Sequence, residues 1–206
     1  MRAETRIIIN NNYTKKEIML FKKFAKIIDE EYMNKEKQRK IWEYDQKIGG
    51  FGGYAAPLNP TVNPFNRLGD YRNVFRSLQY ARSDMYHCNR ARHIIIDAAL
   101  HIETLVKLTL SKNKPIKFIY NKRELGRNIE QLYNEGIIND DLYDRLNDLR
   151  RLLNYAKHDT DPNRDNTFDS EDAIVFYFET RILGNELLKI LKHPTCGIIY
   201  NIDDDF

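Results

Sequence analysis

Three polar side chains with complementary chemistry stand on one predicted helix: Arg151, Asn154 and His158. At roughly 100° per residue, their i, i+3 and i+7 spacing places all three on one helix face. An imidazole exchanges protons near neutral pH, a guanidinium binds phosphate in bidentate fashion, and an amide can orient either group. The set suffices in principle for metal-free RNA cleavage by the neighbouring 2′-hydroxyl. A polar face opposite an apolar one is also what an ordinary surface helix shows, so both interpretations stay open.

The predicted helix over 142–158 carries two separate stripes. Its apolar residues follow an i, i+4, i+7, i+11, i+14 pattern and fall within roughly 40° of one direction. They are Leu142, Leu146, Leu149, Leu153 and Ala156. The polar stripe, with Asn147 beside the three residues above, lies roughly 120–180° away. The helix is therefore expected to bury the leucine stripe and to present the polar stripe to something other than its own core.

Composition indicates a soluble protein with enough apolar residues for a real core. The 206 residues are 42% hydrophobic and 31% charged, with a net charge of +3 and a mean hydropathy of -0.64. No apolar run approaches the roughly 18 residues that span a bilayer, so we expect no membrane association and a cytoplasmic location. Cys88 and Cys196 have no CxxC partner and are expected to be reduced thiols.

The hydrophobic pattern predicts an all-α, up-and-down helical bundle. Helices are expected over 15–48, 70–112 with a break near Cys88, 122–135, 140–158 and 169–192. A glycine- and proline-rich connection over 49–69 divides an N-terminal part, 1–69, from the bundle, 70–206. Residues 116–120 and 197–200 are expected to pair as a small two-stranded sheet. Thr14 and Asp169 or Ser170 are expected to cap helices.

Motifs of the common enzyme classes are missing from the sequence. It contains no GxxxxGK[ST] or GxGxxG loop for phosphates, no HExxH zinc motif and no GxSxG nucleophile elbow. The five histidines do not stand at metal-ligand spacing with nearby acids. We therefore expect neither a cofactor nor a metal site.

Two segments, RHIIIDAALHIETLVKLTL (92–110) and LYDRLNDLRRLLNYAKHD (142–159), resemble the HEPN superfamily, the higher eukaryotes and prokaryotes nucleotide-binding domains. The resemblance covers about residues 90–192. Its first helix is similar in its alanine-containing apolar run with a Glu and then a Lys, and the later helix in its Arg-x6-His pattern from Arg151 to His158. In the commonest form of the motif, the arginine directly precedes the asparagine; here Leu153 stands in that place.

The resemblance implies a metal-independent endoribonuclease that acts as a homodimer, with the two Arg/His motifs facing each other across a cleft. It assigns acid–base chemistry to His158, phosphate binding to Arg151 and positioning to Asn154. Toxin–antitoxin and phage-defence systems are typical settings, so an antitoxin or another partner protein is a possible ligand. The alternative is a non-catalytic HEPN-like module that binds RNA, a nucleotide or a partner protein.

Two further groups of residues complete the candidate site. Glu103, near the edge of its apolar stripe, either reaches the Arg/His site or forms a partly buried salt bridge. Arginines interleave with aromatic residues over 65–93, a composition that suits phosphate contacts and base stacking. The arginines assigned to this RNA-binding surface are Arg72, Arg76, Arg82, Arg90 and Arg92. An amphipathic helix with core aromatics and solvated arginines explains the same pattern.

Overall fold

The computed structural model of the protein describes residues 1–30, 35–48, 72–87, 91–111, 124–158 and 168–191. All regular structure within these ranges is helical, as predicted. The helices are α1 (Ala3–Asn12), α2 (Lys15–Ile28), α3 (Lys35–Ile48), α4 (Arg72–His87), α5 (Ala91–Ser111), α6 (Leu125–Asn134), α7 (Asp140–His158) and α8 (Ser170–Ile190). The two segments of the predicted sheet, the 49–69 connection and both cysteines lie outside the described residues.

The N-terminal part differs from its prediction. The single helix expected over 15–48 is two helices, α2 and α3, and α1 precedes them without having been predicted. A run of three isoleucines at 7–9 is a weak helix signal because β-branched residues lose side-chain freedom in a helix. Packing on other helices compensates, since Ile8 and Ile9 are buried and α1 contacts α7 and α8.

The predicted helix caps are present. Thr14 Oγ1 accepts a hydrogen bond from the Glu17 backbone N–H at 3.3 Å, and the Thr14 N–H donates to Glu17 Oε2 at 2.9 Å. Asp169 and Asp172 form the equivalent reciprocal pair at the start of α8, at 2.9 and 3.1 Å. Both are capping boxes, which satisfy amide groups that a helix start would otherwise leave unpaired.

Helix α8 is the centre of the bundle. Sixteen of its 21 residues are buried, and it contacts α5, α2, α7, α1 and α3. Phe178 shows how the N-terminal helices join this core: its ring stacks on Phe21 of α2 at 5.5 Å and meets Tyr44 of α3 edge-on at 4.9 Å. Helices on both sides of the predicted division at residue 69 therefore pack into one hydrophobic core.

Helix α7 has the two stripes that the sequence predicted. The five residues of its apolar stripe are buried, together with Leu152. Arg151, Asn154 and His158 are exposed. The core thus fixes α7 along its leucine face and leaves the opposite face open to solvent.

None of the described helices is both long and apolar enough to span a membrane.

Candidate functional site

The last two turns of α7 form one wall of a polar cleft of about 570 Å³. Asn154 and His158 line this cleft from α7, and Glu103 and Lys107 line it from α5. Residues 124–126, at the start of α6, close the third side. Three of the four residues predicted as catalytic, namely Glu103, Asn154 and His158, are therefore brought together. We call this the α5–α7 cleft.

Arg151, the fourth predicted catalytic residue, does not line the α5–α7 cleft. Its side chain is 62% exposed, and its Nη1 lies 2.7 Å from Asp148 Oδ1. It borders a second cleft of about 360 Å³, to which Asn11 and Asp144 also contribute. Burial raises the pKa of Asp148, and the Arg151 charge opposes that rise. Arg151 thus does not line the cleft that contains His158, the imidazole with which the sequence pattern grouped it.

Arg150 is the arginine that borders both clefts. Sequence reasoning missed it because the resemblance directed attention to the Arg-x6-His spacing that begins at Arg151. Arg150 and Arg151 stand four and three residues before Asn154, so the helix period places either arginine beside Asn154 and does not choose between them. The structure places Arg150, Asn154 and His158 along the same wall of the α5–α7 cleft.

Glu103 is engaged in an ion pair. Lys157 Nζ lies 2.5 Å from Glu103 Oε1, and both side chains are largely shielded from solvent. The partly buried salt bridge expected for Glu103 is therefore present, and the carboxylate also lines the cleft that contains His158. The partner is a lysine, to which the sequence assigned no role. The pair ties the last turn of α7, which carries His158, to the middle of α5.

Arg92 ties the same turn of α7 to the beginning of α5. Its Nε donates a hydrogen bond to the Ala156 carbonyl at 2.6 Å. The last four carbonyls of a helix lack partners within it, and a cation is favoured at that end. Arg92, assigned from sequence to an RNA-binding surface, therefore acts within the chain as a partner for the C-terminal end of α7.

Of the other four arginines of the predicted RNA-binding surface, only Arg76 and Arg82 have described side chains, and these two differ in burial. Arg82 is 1% exposed, and its Nη1 is 2.5 Å from the buried Asp45 carboxylate. This corrects its expected role, because a buried, ion-paired guanidinium cannot reach a nucleic acid. Arg76 is exposed. The side chain of Arg72 and the whole of Arg90 lie outside the described residues.

The α5–α7 cleft has a small positive charge. Its lining contains three cationic side chains and two carboxylates, a net charge of +1 with His158 neutral. Among the described residues, no three His, Cys, Asp or Glu side chains are grouped as ligands for a metal ion. A solvent-accessible imidazole beside an amide and a guanidinium can exchange a proton next to a bound anion.

No protein-family model matches the chain, and no curated protein or solved structure matches it either. What the cleft does must therefore be inferred from the residues that line it.

Proposed function

We propose that the protein is a metal-independent endoribonuclease of HEPN type that acts as a homodimer, in a toxin–antitoxin or phage-defence setting. The observation that carries this proposal is the α5–α7 cleft, in which Asn154, His158 and the Arg150 guanidinium line the same wall of α7. An acid–base group beside a guanidinium is the pair of groups that metal-free RNA cleavage uses.

The proposed reaction is transesterification within one RNA strand. The 2′-oxygen loses its proton and forms a bond to the adjacent phosphorus, and the leaving 5′-oxygen gains a proton. His158 carries out one of these two proton transfers, and water carries out the other. The bond between phosphorus and the 5′-oxygen breaks. The products are a 2′,3′-cyclic phosphate and a 5′-hydroxyl end. Asn154, one helical turn before His158, orients the imidazole or the phosphate.

In the proposed homodimer, the exposed polar stripe of α7 is the surface that contacts the second copy. With its leucine face in the core of its own chain, α7 presents the opposite face for a second copy to approach. Two copies related by a two-fold axis would join their α5–α7 clefts into one groove. Light scattering coupled to size-exclusion chromatography tests this part, and a monomer at all accessible concentrations contradicts it.

Incubation of the protein with mixed single-stranded RNA in EDTA tests the activity. We expect cleavage by the wild type and a loss of at least about 100-fold with His158→Ala, the typical contribution of a general acid or base. His93→Ala is the matched control, since His93 is exposed on α5 and does not line the cleft. An inactive wild type, or equal cleavage by His158→Ala, contradicts the proposal.

A second candidate function, a HEPN-like module that binds RNA, a nucleotide or a partner protein without cleaving, has one observation in its favour. Two charged groups predicted as catalytic, Glu103 and Arg151, are held in ion pairs with Lys157 and Asp148. The EDTA experiment separates the two functions when RNA binding is measured alongside it. Binding that His158→Ala leaves unchanged, without cleavage by the wild type, supports the binding module.

A further inference from the structure

Neighbouring arginines at the middle of α7 have different surroundings. Arg151 is ion-paired with Asp148 and does not line the α5–α7 cleft. Arg150 lines this cleft with Asn154 and His158. Because Arg150 and Asn154 are four residues apart, their side chains extend from the same side of the helix. Arg150 is therefore the arginine whose guanidinium is placed to contact a ligand in the cleft.

The stem of Arg150 is held in place, and its charge has no carboxylate partner among the residues that the structure describes. Its Cδ, Nε and Nη1 atoms lie 3.4 Å from where a Cβ on Gly126 would be, so the stem packs closely on the first turn of α6. Nε donates to Asn147 Oδ1 at 3.2 Å. Among the described residues, no carboxylate forms an ion pair with Arg150, whereas Arg145 pairs with Glu179 and Asp141, and Arg151 pairs with Asp148. The terminal nitrogens of Arg150 therefore remain as donors for a ligand.

Lys107 supplies a second cation from α5. It lines the same cleft, and within the described ranges it forms no ion pair. Lys157 differs, because its ammonium group is occupied by Glu103. The cleft thus has two cations without a described carboxylate partner, on different helices, and a ligand with two or more anionic oxygens can bridge them.

We propose that Arg150, assisted by Lys107, binds the phosphodiester of RNA in the α5–α7 cleft, the role that the sequence pattern gave to Arg151. This inference rests on the proposed function for the identity of the ligand. Arg150 holds the phosphate beside His158 and stabilises the charge that develops on its oxygens during cleavage. Its fork of donors suits a phosphate in a way that a single ammonium group does not.

The test compares Arg150→Gln, Arg150→Lys, Lys107→Gln and Arg151→Gln with the wild type. The exposed Arg39→Gln on α3, which does not line the cleft, is the control. Two probes are used: a single-stranded RNA oligonucleotide for cleavage and binding, and its all-deoxy counterpart, which keeps the phosphates but lacks the attacking 2′-hydroxyl. Binding is followed by fluorescence anisotropy at several salt concentrations, and folding of each variant by circular dichroism.

We expect Arg150→Gln to weaken binding of both probes about tenfold and to lower RNA cleavage about 100-fold. It should also reduce the slope of log K against log salt by about 0.7, the value for one phosphate contact to a single strand. Arg150→Lys should restore more of the binding than of the cleavage, because it keeps the charge but not the fork. Lys107→Gln should weaken binding about threefold, and Arg151→Gln less than Arg150→Gln. Arg39→Gln should match the wild type.

The outcomes separate this inference from the proposed function. Cleavage that Arg151→Gln abolishes and Arg150→Gln leaves intact overturns the inference and leaves the nuclease standing. Binding of the deoxy probe that depends on Arg150, with no cleavage of RNA by the wild type, supports the inference and overturns the nuclease. A wild type that binds neither probe overturns both.

Discussion

Charged side chains are used in opposite ways in two regions of this molecule. In the interior, Asp45 of α3 accepts hydrogen bonds from Arg82 Nη1 at 2.5 Å and from Arg181 Nε at 2.6 Å, and Tyr177 approaches it at 3.3 Å. All four side chains are at most 1% exposed. In the α5–α7 cleft, Arg150 and Lys107 are half-buried and have no described carboxylate partner.

The difference separates charges that hold the fold together from charges that can act on a ligand. A buried charge is tolerated only when it is paired and hydrogen-bonded, so the Asp45 cluster is bound to its own partners. It joins α3, α4 and α8, and its Arg82 guanidinium also lies 4.0 Å from the Trp42 ring centre. A charge in an open cleft costs little to leave unpaired, and its donors stay available to a ligand.

The largest expected effect comes from Asp45→Asn. The amide keeps the size of the side chain but removes the negative charge between two buried guanidinium groups. We expect a loss of about 3–5 kcal/mol in the free energy of unfolding, as for other broken buried ion pairs. Asp141→Asn is the control, since Asp141 is 74% exposed and 3.8 Å from Arg145, and should cost at most about 0.5 kcal/mol.

Guanidinium chloride denaturation measures both variants. A loss below about 1 kcal/mol for Asp45→Asn would show that the two arginines need no carboxylate between them. RNA binding by the folded fraction should be unchanged in both variants. If the folded fraction of Asp45→Asn bound RNA more weakly, the Asp45 cluster would affect the ligand as well as the fold.

A second interior cluster is expected to be less costly to disrupt. Glu179 of α8 is fully buried and accepts hydrogen bonds from Arg145 Nε at 2.8 Å, from Arg145 Nη2 at 3.1 Å and from Tyr13. Burial first, and the Glu179 charge second, raise the pKa of Tyr13 well above its usual value. Glu179→Gln should lower stability by about 2 kcal/mol, because the side chain of Arg145 is 19% exposed and keeps some contact with water.

Thermal denaturation checks this value against Glu186→Gln on the same helix. The Glu186 side chain is 44% exposed and pairs with Lys189, so its loss should shift the midpoint by about 1 °C or less. Equal shifts for the two variants would mean that burial does not decide how much these charges contribute.

Arg92 lies between the two regions: the residue is exposed, and its half-buried hydrogen bond supports the end of the helix that lines the cleft. Arg92→Met keeps most of the apolar stem and removes the donor to the Ala156 carbonyl. We expect a stability loss of about 1 kcal/mol. Hydrogen exchange should speed up in the last turn of α7, the turn that carries His158. The exposed Arg76→Met on α4 is the control, and equal exchange rates in the two variants would contradict this role.

The sequence predicted the helices best where apolar residues recur at helical spacing throughout the segment. The leucine stripe of α7 and the capping box of α2 depend on neighbours within a few residues, and both are found as expected. Helix α1 was missed because its short run of isoleucines becomes helical through contacts with α7 and α8, which are distant in sequence.

The candidate site was predictable in part for the same reason. One helix wheel grouped Asn154 with His158 correctly, since both belong to the same two turns. It could not separate Arg150 from Arg151, because the positions of α5 and α6 decide which of two neighbouring side chains enters the cleft. The wheel likewise could not reveal that Lys157 would pair with Glu103, or that Arg82 would be buried beside Asp45.

The smallest expected effect concerns Asp97, a half-buried acid on α5 that neither belongs to an interior cluster nor lines the cleft. Burial first, and the nearby Asp84 charge second, raise its pKa, and His93 opposes that rise. A raised folded-state pKa means that the folded protein holds this proton more tightly than the unfolded chain does. The associated stability is fully present below the unfolded pKa and is lost as pH rises through the folded pKa.

Asp97→Asn should therefore be slightly more stable than the wild type at pH 7, where it removes an unfavourable charge. The gain should be only roughly 0.3 kcal/mol, because solvent screens a side chain this exposed. At a pH below the pKa of a free aspartate, the Asp97 side chain of the wild type is neutral, as the asparagine of the variant is. The gain in stability should then disappear. Urea denaturation midpoints at pH 7 and pH 3 measure the difference. An equal gain in stability at both pH values would contradict this explanation. The gain would then come from packing or helix propensity, and the Asp97 charge would contribute as little as that of an exposed acid.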